Sequence, residues 1–315
     1  YLNQVYIGMF RPDAAALPRW MGNLKQYKLG KVGNEIRTLD AAGETAINSG
    51  TGFIAECARS FWTPIAADTY WAFKPQGGCT LNDGVDYDRS NSPDGKVVEK
   101  GGQAYVLRSS TTRSLRTCAS MFASCTTLAD FNNTNVSDAD LGVAGNTVER
   151  DLLIGWARGL DNKDEDIDTV TTAEMRPSVH GDVVHSRPVA LNFSGNPALP
   201  KVVVFYGGND GILRAVNGNR TAPIEFSDGS EMSAGQEMWA FMAPEFFTKI
   251  KRLRDNNVEI NYNGSPTVTP TPEPKPYGMD GAITSYDNRW LFAGMRRGGR
   301  VLYAFDVSGI AASTP

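Results

Sequence analysis

Apolar residues along the chain fall mostly in short runs that end in Gly, Asn or Asp, the pattern of a turn-rich β protein. Lys201-Val-Val-Val-Phe-Tyr206 is a near-continuous β-branched and aromatic run, as expected of a strand covered on both faces. Gly207-Gly-Asn-Asp-Gly211 follows, then Ile212 to Val216. Asn-Asp-Gly supplies the positive-φ residues of a tight hairpin, so the two runs are expected to pair antiparallel. The arrangement recurs as a strand over Arg289 to Ala293, a glycine-rich turn over Gly294 to Gly299 and a returning strand over Val301 to Val307. Setting the returning strands together places Gly211-Ile-Leu-Arg-Ala-Val-Asn217 over Arg300-Val-Leu-Tyr-Ala-Phe-Asp306, with Ala215 and Ala304 separated by 89 residues. Propeller blades repeat at roughly 40–50 residues, so this offset suits two blades with one between them. Trp20-Met-Gly-Asn-Leu-Lys-Gln-Tyr-Lys-Leu29 is a looser relative. The fold expected is mainly all-β, a modified β-propeller of radially repeated small sheets, with an unrepeated β-sandwich as the competing pattern.

Two helical patterns interrupt the strands. Asn146 to Arg158 puts Val148, Leu152 and Trp156 at i, i+4, i+8, with Asn146 and Glu149 as a capping-box-like start and Gly159 as the stop. Pro244 to Leu253 has Pro in its first turn and Phe246, Ile250 and Leu253 on one stripe. Ala58 to Trp62 reads as a third, short helix. Regions of about 40–150 and 243–280 read as insertions between blades. Asn263 to Pro276 holds Pro266, Pro270, Pro272, Pro274 and Pro276 and is expected to be an extended surface loop.

The glycine content, 32 of 315 residues, favours the turn-rich β reading over a helical bundle. A net charge of −4 argues against nucleic acid as a partner, because a phosphate-binding face shows as a basic excess. The basic cluster Arg296, Arg297 and Arg300 reads as a solvated loop. No apolar run approaches the roughly 18–20 residues of a membrane span. The chain opens on Tyr1 without Met and closes on Ser313-Thr314-Pro315, which reads as a piece of something longer. Four cysteines without a C-x-x-C pair make poor metal spacing. Two disulfides, by proximity Cys57–Cys79 and Cys118–Cys125, fit an exported protein; the alternative is four separate buried thiols.

Candidate chemistry is sparse. The only two histidines lie in His180-Gly-Asp-Val-Val-His185, but residues five apart on a strand point to opposite faces, so structural hydrogen bonding is the expected role. No nucleophile elbow, P-loop or H-E-x-x-H occurs. The acidic run Asp161, Asp164, Asp166 and Asp168 is the candidate Ca²⁺ site, because alternating carboxylates over a short loop assemble oxygen ligands. It lacks the central Gly and terminal Glu of an EF-hand loop. A solvated acidic loop is the plain alternative, and the favoured reading has arginines such as Arg158 and Arg176 folded across the carboxylates to offset their repulsion. Asn82, Asp83, Asp86 and Asp88 form a weaker second candidate.

Eight blocks, in order along nearly the whole chain, carry a resemblance. They include Arg19 to Lys28, Thr51 to Ile54 with Ala58 to Trp62, Asp94 to Ala104, and Trp156 to Asp161 leading to Gly181-Asp-Val-Val-His-Ser-Arg-Pro188. The rest are Tyr206-Gly-Gly-Asn-Asp-Gly-Ile-Leu-Arg-Ala215, Glu237 to Phe241, Tyr277-Gly-Met-Asp-Gly281 and Gly298 to Asp306. The sequence resembles the C-terminal propeller domain of PilY-like type IV pilus assembly factors and tip adhesins. The resemblance implies a quinoprotein-like propeller, exported to the cell surface and pilus tip. It would bind minor pilins and host or abiotic surfaces, and catalyse no reaction. Its later blades and Asp-rich calcium loop would lie beyond Pro315, and its von Willebrand A-like region before Tyr1, so this chain alone is expected to leave the propeller incomplete. Arg214 stands where the family usually has His, and Pro276 where it usually has another. The alternative function, a quinoprotein dehydrogenase, rests on the Gly-Asn-Asp-Gly hairpin. It lacks the adjacent Cys pair such quinone sites often use.

Overall fold

The computed structural model describes residues 3–65, 93–110, 112–119, 125–196, 199–261 and 269–311. Along them run strands β1 (Gln4–Arg11), β2 (Met21–Val32) and β3 (Glu35–Leu39), helix α1 (Gly102–Arg108), β4 (Leu115–Cys118), β5 (Leu128–Asp130) and α2 (Thr147–Arg158). Then come β6 (Val189–Asn192), β7 (Val202–Gly207), β8 (Ile212–Asn217), the short β9 (Ile224–Glu225) and β10 (Glu231–Met232), and β11 (Glu237–Met242). Helix α3 (Phe247–Asp255), β12 (Ile283–Tyr286), β13 (Trp290–Gly294) and β14 (Leu302–Asp306) complete the order.

The centre is a six-stranded sheet in the order β5-β4-β11-β8-β7-β6. Its β7–β8 hairpin forms as expected, with Phe205 opposite Ala215 and a turn at Gly211, whose φ of 84° suits glycine. Every residue of β7 and β8 is buried. The reason is that both faces are covered. Val203 and Phe205 point into a core shared with Leu291 and Tyr303 of the β12-β13-β14 sheet and with Met295 just after β13. Val204 and Tyr206 point to the opposite face, against Leu24 of the β1-β2-β3 sheet and Trp62. Three sheets are thus stacked face to face. Helices α2 and α3 close a third cluster with Phe131, Leu115 and Met242.

The second hairpin also forms, and Phe292 faces Ala304 as Phe205 faces Ala215. The match is one of register, not of burial, since Ala215 is buried and Ala304 exposed. Among the described residues no sheet closes. The all-β expectation stands in its coarser form, while the ring of blades does not appear. A six-stranded mixed sheet with a parallel β4–β11 pair is not a four-stranded blade.

Helix α2 starts where expected: the Asn146 side chain accepts from Glu149 N at 2.9 Å and Gly159 is left-handed. The inward face differs. Val148 and Leu152 are exposed at 70% and 40%, and Leu153, Ile154, Trp156 and Ala157 pack inward, because the helix leans on α3 and Phe131. In the second helical pattern, Phe246, Ile250 and Leu253 are buried as expected. Ala58 to Trp62 is not a helix. Its backbone is held by carboxylates instead, Arg59 N on Asp40 and Ser60 N on Asp94 at 2.8 Å. Helix α1, unexpected after Lys100-Gly-Gly, is anchored by Asn23 Oδ1, which accepts from Ala104 N. The proline-rich segment is described only from 269 onward. There Glu273 bridges Ile260, while Lys275 and Pro276 are buried rather than on the surface, because Lys275 reaches an aspartate inside.

Candidate functional site

Two groups of side chains concentrate charge. The first is a buried frame at the end of the central sheet, built on the Asn209-Asp210 turn between β7 and β8. Asp210 accepts from Gly181 N at 3.1 Å and pairs with the fully buried Arg214. Burial alone would raise its carboxyl, but the Arg214 guanidinium holds it down to about 2. Glu237 lies 3.6 Å from Arg214 and is gripped bidentately by Arg113, with both bonds at 2.8 Å. Asn209 Nδ2 donates to Asp182, whose other oxygen takes Lys275 Nζ at 3.2 Å. Burial raises the Asp182 carboxyl against the pull of Lys275. Lys275 also donates to Pro18 O and sits 4.4 Å over the Trp20 ring.

The histidines part company here, as the spacing implied. His185 Nδ1 meets Asp280 at 2.8 Å. His180 lies between Gly181 O, 2.7 Å from Nδ1, and the Tyr206 hydroxyl, 2.8 Å from Nε2. Burial, followed by the nearby Arg214 charge, pushes its pKa down to about 3, so the ring is neutral. With Gly181 O able only to accept, Nδ1 carries the proton and Tyr206 donates to Nε2. Gln103 must then present its amide NH₂ to the Tyr206 oxygen, which supplies a partner for the otherwise unpaired Gln103 Nε2.

Glycines draw these loops together. A Cβ on Gly298 would lie 1.9 Å from Gly278 O, and one on Gly22 2.0 Å from Gly181 O. The blocks that carry the sequence resemblance therefore meet backbone to backbone. This frame went unseen in the sequence because its partners lie far apart in the chain and share no spacing rule.

The second group is the acidic loop after α2. Asp164, Asp166 and Asp168 bring carboxylate oxygens within 4.8 Å of one another, and Asp161, Asp166 and Glu174 do likewise. Asp166 belongs to both sets. Such oxygens can take a hard divalent cation. Glu174 was missed by the sequence reading. It arrives through the Leu160–Met175 bridge and the bond from Asp161 N to Glu174 O, a pairing no local motif announces. Asp161 is buried and accepts from Lys163 N and Glu165 N. Its carboxyl is raised by burial first, and that of Glu174 by desolvation and then the neighbouring aspartates.

The expected arginine clamp forms only at Glu165, which pairs with Arg19, and neither Arg158 nor Arg176 pairs with the aspartates. Arg176 bonds Trp156 O at 2.5 Å and lies 3.8 Å over the Trp156 ring, while Arg158 bonds Phe131 O and Arg113 O. The Arg176 guanidinium thus serves the negative end of α2, and that of Arg158 ties the helix end to the β4 and β5 loops. Glu165 alone is neutralised, by Arg19 and the Trp156 indole. Asp161, Asp164, Asp166, Asp168 and Glu174 enter none of the ion pairs among the described residues. Cys118–Cys125 is bridged, with Cα atoms 5.1 Å apart. Cys57 is disulfide-bonded. Cys79 of the expected second pair, and Asn82, Asp83, Asp86 and Asp88, lie outside the described residues. Among the described residues no helix is long and apolar enough to cross a membrane. No protein family, curated protein or solved structure matches this chain.

Proposed function

We propose that this chain is a non-catalytic binding domain of the PilY-like kind, part of an exported type IV pilus assembly factor and tip adhesin. Its partners in this reading are minor pilins and host or abiotic surface ligands, at the cell surface. One observation carries the reading. Trp20, Trp156, Gly181, Asp182, Asn209, Asp210, Glu237, Gly278 and Gly298, drawn from six of the eight blocks of the resemblance, meet in one buried frame. Residues in such a frame hold loops in place rather than present reactive groups to solvent, which favours a scaffold over a catalyst. The Cys118–Cys125 bridge supports an oxidising destination. Calcium belongs to the proposal as a structural ion on Asp161, Asp164, Asp166, Asp168 and Glu174. The test is capture of minor pilins from a piliated strain by the purified chain, together with loss of piliation and attachment when its segment is deleted. Normal pili and attachment after deletion, or a quinone-dependent absorbance change in the purified chain, would sink the reading.

A further inference from the structure

The β12-β13-β14 sheet is narrower than the sheet it covers. Its β14 lies over β11, with Trp239 and Phe305 ring centres 5.9 Å apart and Phe241 and Tyr303 4.8 Å apart. Its β12 end lies by β6, where Asn288 donates to Asn192 O. Strands β4 and β5 therefore project past β14 as a ledge, about 10 Å wide at strand spacing. Above the ledge is a groove of about 410 Å³, lined by Leu128, Met238, Trp239, Tyr303, Phe305 and Ile310 among others.

Among the described residues, one wall of the groove is an unpaired strand edge. Val307 N donates to Arg289 O, so by antiparallel alternation the odd residues of β14 bond to β13. Leu302, Ala304 and Asp306 then turn their N–H and C=O groups outward. None of the described backbone hydrogen bonds outside the strand ladders uses them. Edge strands are normally guarded by Lys, Pro, a bulge or shortness. Strand β14 has no Lys or Pro, pairs with β13 without a register shift, and leaves Leu302 68% exposed. Beside it stands Arg300, exposed and in no ion pair among the described residues.

We infer that β14 accepts one extended strand from a partner polypeptide, a segment of alternating apolar residues with an acidic residue opposite Arg300. The backbone edge selects a strand over a helix or a small molecule, because only a strand repeats donors and acceptors at that spacing. The ledge gives its apolar side chains a floor beside Tyr303 and Phe305. The free cation sets its charge and register. A second copy of this chain does not fit, since the β4–β5 ledge under its own β14 would claim the same space. The inference concerns the chemistry this edge takes and holds apart from any assignment to a pilus.

The probe is a labelled synthetic peptide of alternating valine and threonine with a glutamate at the Arg300 end, followed by fluorescence anisotropy and amide exchange. Saturable binding is expected, with slowed exchange at Leu302, Ala304 and Asp306. Methylating the peptide nitrogens that face β14 should weaken binding about tenfold or more, the worth of one or two hydrogen bonds. Ala304→Pro removes an outward N–H without touching the ladder and should weaken it similarly. Arg300→Glu should weaken it too, with recovery when the peptide glutamate becomes lysine. The inference is overturned by absent binding at millimolar peptide, by equal binding of the methylated peptide, or by sedimentation showing that the chain occupies the edge with a second copy.

Discussion

Asp210 and Arg214 are four residues apart across a turn and both buried, so each charge has the other as its main solvent substitute. Removing one member of such a pair leaves an uncompensated charge, which costs about 3–5 kcal/mol. Arg214→Met should therefore lower the unfolding free energy measured by urea titration by that amount, and adding Asp210→Asn should restore part of the loss. His180 makes the fold acid-sensitive in a defined window. Its pKa falls from about 6.5 in the unfolded chain to about 3 in the fold, so between those values the unfolded state holds one more proton. Stability is full above pH 6.5 and declines by about 1.4 kcal/mol per pH unit as pH falls towards 3. Asp210 adds a loss of the same sign lower down, as pH falls below the ordinary carboxyl range towards about 2. Asp161 and Glu174, raised in the fold, run the other way and are relieved by protonation. Urea titrations from pH 7 to pH 4 should show His180→Gln flattening this slope. An unchanged slope would mean that His180 is protonated in the native state. Little of this was legible locally: the histidine spacing spoke against a shared metal, but the tautomer of His180 follows from its contacts with Gly181 O and the Tyr206 hydroxyl.

At the scale of elements, the acidic loop shows what spacing can and cannot convey. The run from Asp161 to Asp168 was visible as a candidate site, whereas Glu174 and the turn of Arg158 and Arg176 away from the carboxylates were not. The arginines were drawn instead to backbone carbonyls, Arg176 to Trp156 O in the last turn of α2 and Arg158 to Phe131 O and Arg113 O in the loops beside it. That leaves five clustered acids without a cation, so millimolar calcium should raise the melting temperature. At about tenfold excess over Kd the gain is about 1.4 kcal/mol. Asp166→Asn, which touches both acid groups, should abolish the rise. A melting temperature indifferent to calcium in the parent chain would assign the loop to solvent. The helix α2 illustrates the same limit. Its caps were readable because Asn146 and Gly159 act within a turn of their neighbours. Its buried face was not, because two stripes at helical spacing were available and only the position of α3 chose between them.

On the whole-molecule scale, the stack of sheets is pinned where loops from distant blocks cross at glycine. Gly298→Ala forces a Cβ against Gly278 O and should cost about 1–3 kcal/mol by differential scanning calorimetry or urea. Gly195→Ala, with open space around it, is the matched control and should change little. Equal effects at the two positions would remove the case for a pinned crossing. The β class, both hairpins, the cap positions of α2 and the second helical stripe were fixed by local pattern, and Cys118–Cys125 was offered by proximity beside the alternative of free thiols. All depend on interactions between near neighbours, where propensity, turn chemistry and short loop closure dominate. Only the tertiary structure decided that β4 joins β11, that Lys275 is buried on Asp182, and that Glu174 completes the acid cluster. Those pairings join residues tens to hundreds of positions apart, or depend on which face a neighbour covers, and a buried charge declares its partner only once the chain has closed around it.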